Sequence, residues 1–146
     1  MRTRTLLLVE DNPDDEALAK RVFAKIAPND RMEICRDGVQ ALERLSSKSL
    51  DLPDLVLLDL KMPKIGGLDV LSKVRSELNQ RCLTIVVLTS SDEQHDITEA
   101  YRRGANSFVR KPVDYHEFRD CFEKILSYWF NLNCIPAPGC SAPGGL

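Results

Sequence analysis

LVLLDLKMP, residues 55–63, places an aspartate directly after four consecutive apolar residues, and a proline follows four positions later. A continuous apolar run of this length predicts a strand that is buried on both faces. Asp59 then lies where this strand leaves the core. Because burial of a carboxylate is costly unless the group is solvated, paired or reactive, Asp59 needs a chemical reason to be there.

The composition is ordinary for a globular protein, with 43% hydrophobic residues, 29% charged residues and a net charge of -2. A chain of 146 residues predicts one domain with a single well-covered core. The weak net charge gives no indication of nucleic acid or an anionic membrane as a direct partner. The apolar runs are too short to cross a bilayer, and the N-terminus does not resemble a secretion signal. We therefore expect a cytoplasmic protein.

The cysteines give no sign of a metal site or a disulfide framework. Their number is odd, no C-x-x-C motif occurs, and neither histidine lies at metal-ligand spacing from a cysteine. In a cytosolic protein we expect reduced thiols. The sequence does not predict a role for Cys134 or Cys140.

Five short apolar segments alternate with five amphipathic segments. This alternation predicts an α/β fold in which helices cover both faces of a parallel sheet. The expected class is a flavodoxin-like (βα)5 doubly wound sheet with strand order 2-1-3-4-5, since an eight-stranded barrel needs far more chain. The predicted strands are Thr5–Val9, Met32–Cys35, Leu55–Leu58, Thr84–Leu88 and Asn106–Val109.

The last helix is expected to begin near Asp114 and to place one apolar face on the core, formed by Phe118, Phe122, Ile125 and Trp129. Beyond it the composition becomes rich in proline, glycine and small residues, which is typical of a poorly structured segment. We therefore predict one domain over residues 1–130 and a tail over residues 131–146.

Polar side chains follow four of the predicted strands, at the edge where open parallel sheets bind ligands. They are Glu10, Asp11, Asp59, Thr89 and Lys111. Three neighbouring carboxylates repel one another, and Mg²⁺ relieves this repulsion because it prefers oxygen ligands. A lysine beside them can pair with a carboxylate and later with a phosphoryl oxygen. The residues alone leave alternatives open: Glu10 and Asp11 can be helix-capping or solvated acids, and Thr89 can be an ordinary strand residue.

Four motifs in register resemble the receiver domain of two-component response regulators. They are LLVEDN at residues 7–12, LLDLKMP at 57–63, LTS at 88–90 and Lys111-Pro112. The resemblance extends from Thr5 to about Tyr128. Further features resemble the small stand-alone regulators that partner phytochrome-type and other sensor histidine kinases: Asp14-Asp15, Arg36-Asp37-Gly38, the segment 104–107 and Tyr128-Trp129.

This resemblance implies a role for each residue of the set. Asp59 corresponds to the phosphoacceptor, and Mg²⁺ would be held by Glu10, Asp11, Asp59 and the backbone carbonyl of Lys61. Thr89 and Lys111 correspond to the pair that contacts the phosphoryl group. Phe108 corresponds to the aromatic switch residue, although from its position alone it can equally be a core phenylalanine. Two positions depart from the common pattern, since Gly66 replaces an Asp or Asn and Glu10 replaces an Asp.

The expected function is therefore that of a single-domain response regulator, which receives a phosphoryl group from a sensor histidine kinase and signals by protein–protein contact. No DNA-binding output domain and no enzymatic activity beyond self-phosphorylation and self-dephosphorylation are expected. A homodimer through the face formed by the fourth helix, fifth strand and fifth helix is one form of output. The cognate kinase, the downstream target and the phosphoryl lifetime are not predicted.

Three rival functions fit the residues less well. An aspartyl-phosphate phosphatase needs a second acid two residues after its nucleophile, where this chain has Lys61. A non-phosphorylated interaction module does not need the complete polar set. A nucleotide-binding protein is expected to carry a phosphate-binding glycine motif, and none occurs in the sequence.

Overall fold

The computed structural model describes residues 2–136, which form a five-stranded sheet with helices on both faces. All neighbouring strands are parallel, and their order is 2-1-3-4-5, as the sequence predicts. The strands are β1 (Thr5–Val9), β2 (Arg31–Cys35), β3 (Leu55–Leu58), β4 (Ile85–Thr89) and β5 (Ser107–Arg110). The helices are α1 (Pro13–Ile26), α2 (Gly38–Ser46), α3 (Gly67–Ser76), α4 (Gln94–Arg102) and α5 (Tyr115–Leu126).

The three central strands divide their side chains between the two faces of the sheet. Leu6, Leu8 and Leu57 pack with α1 and α5, whereas Leu7 and Val56 pack with α2, α3 and α4. This division follows from the two-residue period of a strand. Because both faces are covered, β1, β3 and β4 contain hardly any polar residues, and polar groups begin only where each strand ends.

Side-chain caps fix the start of three helices. Asn12, Asp37 and Asp114 lie at the N-cap positions of α1, α2 and α5, and each carboxylate or amide oxygen accepts a backbone N–H of the first turn. Gly104 follows the last residues of α4 with a φ of 105°, a conformation that favours glycine. These starts and stops agree with the sequence-based expectation for α5 at Asp114.

Trp129 packs against the same core as Phe118, Phe122 and Ile125, as expected, but it is only partly buried. Helix α5 passes at Leu126 into a π-helix, Ser127–Leu132, whose wider turn rotates the following side chains. Phe130 is therefore the buried aromatic residue, with 4% of its surface exposed, and Trp129 is only half-buried. The Phe130 ring lies 6.0 Å from that of Phe23, and the Arg4 guanidinium lies 4.6 Å above it.

The predicted boundary at residue 130 remains a prediction, and most of the predicted tail, including Cys140, lies outside the described residues. Within residues 2–136, no helix is long and apolar enough to cross a membrane. Cys35, Cys121 and Cys134 are free thiols, but the expectation of reduced thiols is wrong for Cys82, which is disulfide-bonded.

Candidate functional site

The three acids of the predicted site meet at the carboxyl ends of β1 and β3. These strands are neighbours, and the pairing of Val9 with Leu58 places the residues that follow them side by side. Carboxylate oxygens of Glu10, Asp11 and Asp59 lie within 4.8 Å of one another. Glu10 and Asp59 are buried, whereas Asp11 is exposed, so the cluster opens to solvent on one side.

Lys111 reaches the same cluster from the far edge of the sheet. Its backbone N–H donates to the carbonyl oxygen of Thr89 at 2.7 Å, which continues the pairing of β5 with β4. Its ammonium group lies 2.5 Å from Glu10 Oε1 and 3.5 Å from Asp59 Oδ2. The lysine is largely buried, and one cation therefore faces the buried acids.

Asp15 also contacts Lys111, although the sequence predicts no role for it in the site. Its Oδ2 atom lies 2.9 Å from the Lys111 ammonium nitrogen. In the sequence Asp15 is one of three acids in the first turn of α1, where acids are common because they suit the helix dipole. Only the packing of α1 beside the β5–α5 connection distinguishes Asp15 from its neighbours.

Burial and charge shift the pKa values of two of these groups. Burial raises the pKa of Glu10 to about 7, although Lys111 opposes this effect. Burial lowers the pKa of Lys111, but Asp59, Glu10 and Asp15 outweigh burial and hold its pKa above the ordinary value. Lys111 is therefore a permanent cation, and the crowded carboxylates are held together by it.

The loop between β3 and α3 is held closely against Asp59. Gly67 N–H donates to the Leu60 carbonyl oxygen at 3.0 Å, and a Cβ atom at residue 67 would lie 2.3 Å from the Asp59 carbonyl oxygen. The Lys61 N–H points at Asp59 Oδ1, 3.4 Å away. Lys64, which has a φ of 68°, reaches Asp37 at 3.4 Å. These contacts keep Lys61 beside the acidic cluster.

Thr89 and Phe108 lie on the strands next to the cluster. Thr89 is fully buried at the end of β4, and its hydroxyl oxygen accepts the Ser91 N–H at 3.5 Å. Phe108 is half-buried and packs against the side of the core formed with α2, α3 and α4. Its backbone N–H donates to the hydroxyl of Tyr101 on α4 at 3.1 Å. The Phe108 side chain is thus partly exposed to solvent, and the residue is in contact with both the core and α4.

The donor set suits a hard divalent cation. Three carboxylates offer oxygen atoms close together, and Mg²⁺ takes one or two carboxylates together with water and phosphate oxygens. Within residues 2–136 this is the one group of three or more acids, histidines or cysteines arranged closely enough to bind a metal ion. The raised pKa of Glu10 points the same way, because burial and, to a smaller extent, repulsion from Asp59 disfavour its carboxylate, and a bound cation would relieve both effects.

Fold and site together define a doubly wound α/β domain with an acidic pocket at the carboxyl edge of its sheet. The chain belongs to the response regulator receiver domain family, whose model matches residues 6–123. Receiver domains of two-component systems bind Mg²⁺ at an acidic pocket, and Glu10, Asp11 and Asp59 form such a pocket here.

Three similar proteins match this chain over most of its length. The probable methanogenesis regulatory protein FilR2 of Methanothrix harundinacea is 37% identical over 91% of this chain and 88% of its own length. The Mn²⁺-bound response regulator Rcp1, a protein of Synechocystis, has a TM-score of 0.86 at 28% identity, over 92% of this chain and 99% of its own. The phosphorylated cyanobacterial phytochrome response regulator RcpA has the same TM-score at 27% identity, over 93% and 100%.

Proposed function

We propose that this protein is a phosphoacceptor that takes a phosphoryl group from a sensor histidine kinase onto Asp59. The observation that carries the proposal is the position of this buried carboxylate, which lies between two further acids and the Lys111 ammonium. A structural role does not require a carboxylate at the end of a buried strand, beside two further acids and a lysine. A nucleophile for phosphoryl transfer does, because the reaction depends mainly on positioning and charge stabilisation.

The reaction is a single displacement at phosphorus. An Asp59 carboxylate oxygen attacks the phosphorus atom of a phosphohistidine, the P–N bond breaks, and its electron pair remains on the imidazole nitrogen, which takes up a proton. The nucleophile is a carboxylate, which has no proton to lose, so no base is needed to activate it, and the product is an acyl phosphate. Water later attacks the same phosphorus atom and releases inorganic phosphate and the Asp59 carboxylate. This chemistry acts on the protein itself, and we propose no other enzymatic activity.

Glu10, Asp11, Asp59 and the Lys61 backbone carbonyl are the residues that would hold Mg²⁺. When bound, the cation supplies positive charge next to the phosphoryl oxygens. Lys111 supplies a second positive charge, since its ammonium already lies 3.5 Å from Asp59. The Thr89 hydroxyl is the further donor at the end of the neighbouring strand. Both side chains would approach the phosphoryl oxygens, and Phe108 would then turn inward.

The partner that fits this function is a histidine kinase of the phytochrome type, acting in the cytoplasm. RcpA is a phytochrome response regulator, and the chain matches it along nearly its full length. We propose that residues 1–130 act as the receiver and that the following residues are a separate tail.

The experiment is incubation with Mg²⁺ and acetyl phosphate followed by measurement of the intact mass. We expect an adduct of one phosphoryl group on the wild-type protein and none on Asp59→Asn. The matched control is Asp54→Asn, which alters a buried acid just before β3, at the other end of that strand, and should leave the adduct in place. A wild-type protein that binds Mg²⁺ but takes up no phosphoryl group would instead support the interaction-module function.

We also propose that a second copy of this chain docks on the face formed by α4, β5 and α5. A groove of about 770 Å³ runs between β5 and α5, and its apolar lining includes Val109, Tyr128 and Trp129. Glu117, Asp120 and Lys124 also line it, so charges of both signs are available. An isologous dimer can pair such charges about its two-fold axis.

The dimer is tested by sedimentation of the protein with and without Mg²⁺ and acetyl phosphate. We expect Tyr128→Ala to weaken self-association, while Leu50→Ala, which removes an exposed apolar side chain elsewhere, should not. Equal self-association of both variants and the wild type would exclude this face as the dimer contact.

A further inference from the structure

Asp15 is a partner of Lys111 that belongs neither to the cluster of three acids nor to the helix cap. Its contact with the ammonium nitrogen, at 2.9 Å, is shorter than that of Asp59, at 3.5 Å. Its side chain is about four-fifths buried, with 22% of its surface exposed. Such a contact is better shielded from solvent than an ordinary surface ion pair.

The local structure leaves the Asp15 carboxylate free for this contact. Asn12 already caps α1, and its side-chain oxygen accepts the N–H groups of Asp14 and Asp15. The Asp15 side chain is therefore not needed as the N-cap of α1, and it can turn toward the β5–α5 connection. Lys25 on α1 and Glu123 on α5 form a further contact at 3.2 Å, which helps to keep the two helices adjacent.

The Lys111 ammonium competes with a metal ion for the carboxylates of the acidic cluster. Its ammonium group lies against Glu10 and Asp59, which are two of the three acids of the candidate metal site. Two cations repel each other at such distances, so the ammonium has to give up part of these contacts when the acids bind a metal ion. Asp15 is the one other carboxylate among the described residues that Lys111 touches.

We propose that Asp15 is a positioning residue that retains the Lys111 ammonium while Glu10 and Asp59 bind a divalent cation. It keeps the buried lysine paired, and thereby favours cation binding and leaves the ammonium close to where the phosphoryl group arrives. This inference rests on the proposed function, because it assumes the metal site at Glu10, Asp11 and Asp59.

The test is a titration with Mg²⁺ alone, followed by the backbone amide resonances of residues around the acidic cluster. We expect Asp15→Asn to raise the Kd for Mg²⁺ about fivefold, the order of one partly buried ion pair. The matched control is Asp14→Asn, which removes the same charge one residue earlier. Asp14 is exposed, and its carboxylate has no ion pair with any described residue, so its loss should change the Kd less than about twofold.

A double-mutant cycle separates positioning from the mere loss of a negative charge. In a Lys111→Met background, Asp15→Asn should no longer weaken Mg²⁺ binding, because the ammonium group through which Asp15 acts is absent. A fivefold loss in that background too would mean that Asp15 acts as a remote charge, and an unchanged Kd for Asp15→Asn alone would equally overturn the proposal. If the wild type itself binds no Mg²⁺, the proposed metal site fails first. Thermal unfolding without metal verifies that each variant is folded.

Discussion

Burial raises the pKa of two groups near the ends of β1 and β2, with different consequences. Burial raises the pKa of Glu10 to about 7, and the Lys111 ammonium, in direct contact, keeps it from rising further. Cys35, the last residue of β2, is almost as well buried. Burial raises its pKa to about 11, although the positive charge of Arg44 opposes this rise. Cys35 is therefore an inert apolar side chain at neutral pH.

Cys35 should resist alkylation in the folded protein. The thiolate is the reactive form, and a pKa raised from 9.0 to about 11 reduces it about 100-fold at a given pH. At pH 8, peptide mapping after brief iodoacetamide treatment should find Cys134, which is exposed, modified long before Cys35. Comparable rates for the two cysteines would show that the end of β2 opens readily.

The same shift predicts the pH dependence of stability. Because the folded-state pKa of Cys35 lies above the unfolded-state value, its stabilising effect is complete below about pH 9 and is lost as the pH rises through about 11. The urea midpoint of unfolding should therefore decrease more between pH 8 and pH 10.5 for the wild type than for Cys35→Ala. An equal fall in both would assign the alkaline loss of stability to other groups.

Among the elements, the π-helix that follows α5 decides which aromatic residue completes the core. A regular α-helix with the spacing of Phe118, Phe122 and Ile125 would next bury Trp129. The wider turn of Ser127–Leu132 instead directs Phe130 against Phe23 and below the Arg4 guanidinium. Arg4 also donates a hydrogen bond to the Phe130 carbonyl oxygen, which anchors the turn.

Truncation of Phe130 should destabilise the protein more than truncation of Trp129. Phe130→Ala removes a buried ring and leaves a cavity, for which a loss of about 3–5 kcal/mol in the free energy of unfolding is expected. Trp129→Ala removes a half-exposed side chain and should lose clearly less, although tryptophan is the larger residue. Urea unfolding at pH 7 measures both values. The opposite ranking would mean that α5 continues as a regular helix in solution.

The strands were predictable from local sequence, and the acidic cluster was predictable from the topology that those strands imply. A buried strand is an apolar run, and the parallel topology then brings Glu10, Asp11 and Asp59 to one edge. Two other features were not predictable, and both depend on contacts between residues that are far apart in the sequence. Arg4 contacts Phe130 in the π-turn from 126 residues away, and the role proposed for Asp15 depends on Lys111, 96 residues away. Neither contact leaves a periodic signal in the sequence.

For the whole molecule, the question is how a change at Asp59 reaches a binding surface. Phe108 connects the two regions, because it lies three residues before Lys111 and its N–H is bound by Tyr101 of α4. The proposed phosphorylation of Asp59 would add charge and acceptor oxygens at one point, and Lys111 and Thr89 are the groups proposed to move toward them. A shift of β5 and of its contact with α4 would follow, which changes the face proposed for docking.

We predict that the Phe108 ring becomes less exposed when Mg²⁺ and beryllium fluoride, a phosphoryl mimic, are added. The measurement is the relaxation of its ring protons by a soluble paramagnetic probe. Phe122, which is 1% exposed, is the internal control and should not change. The Asp59→Asn variant should show no effect of the mimic. Equal exposure of Phe108 in both states would exclude it as the switch residue.

The contact between Arg4 and Phe130 brings the start of the first strand next to the end of the last helical turn. For protein engineering, this proximity makes a circular permutant feasible. A short linker could join the chain near these two residues, and new ends could be opened in the exposed connection between α2 and β3 around residues 48–51. That connection leads into β3 at the edge of the sheet opposite Asp59, so a reporter domain inserted there would lie away from the acidic cluster.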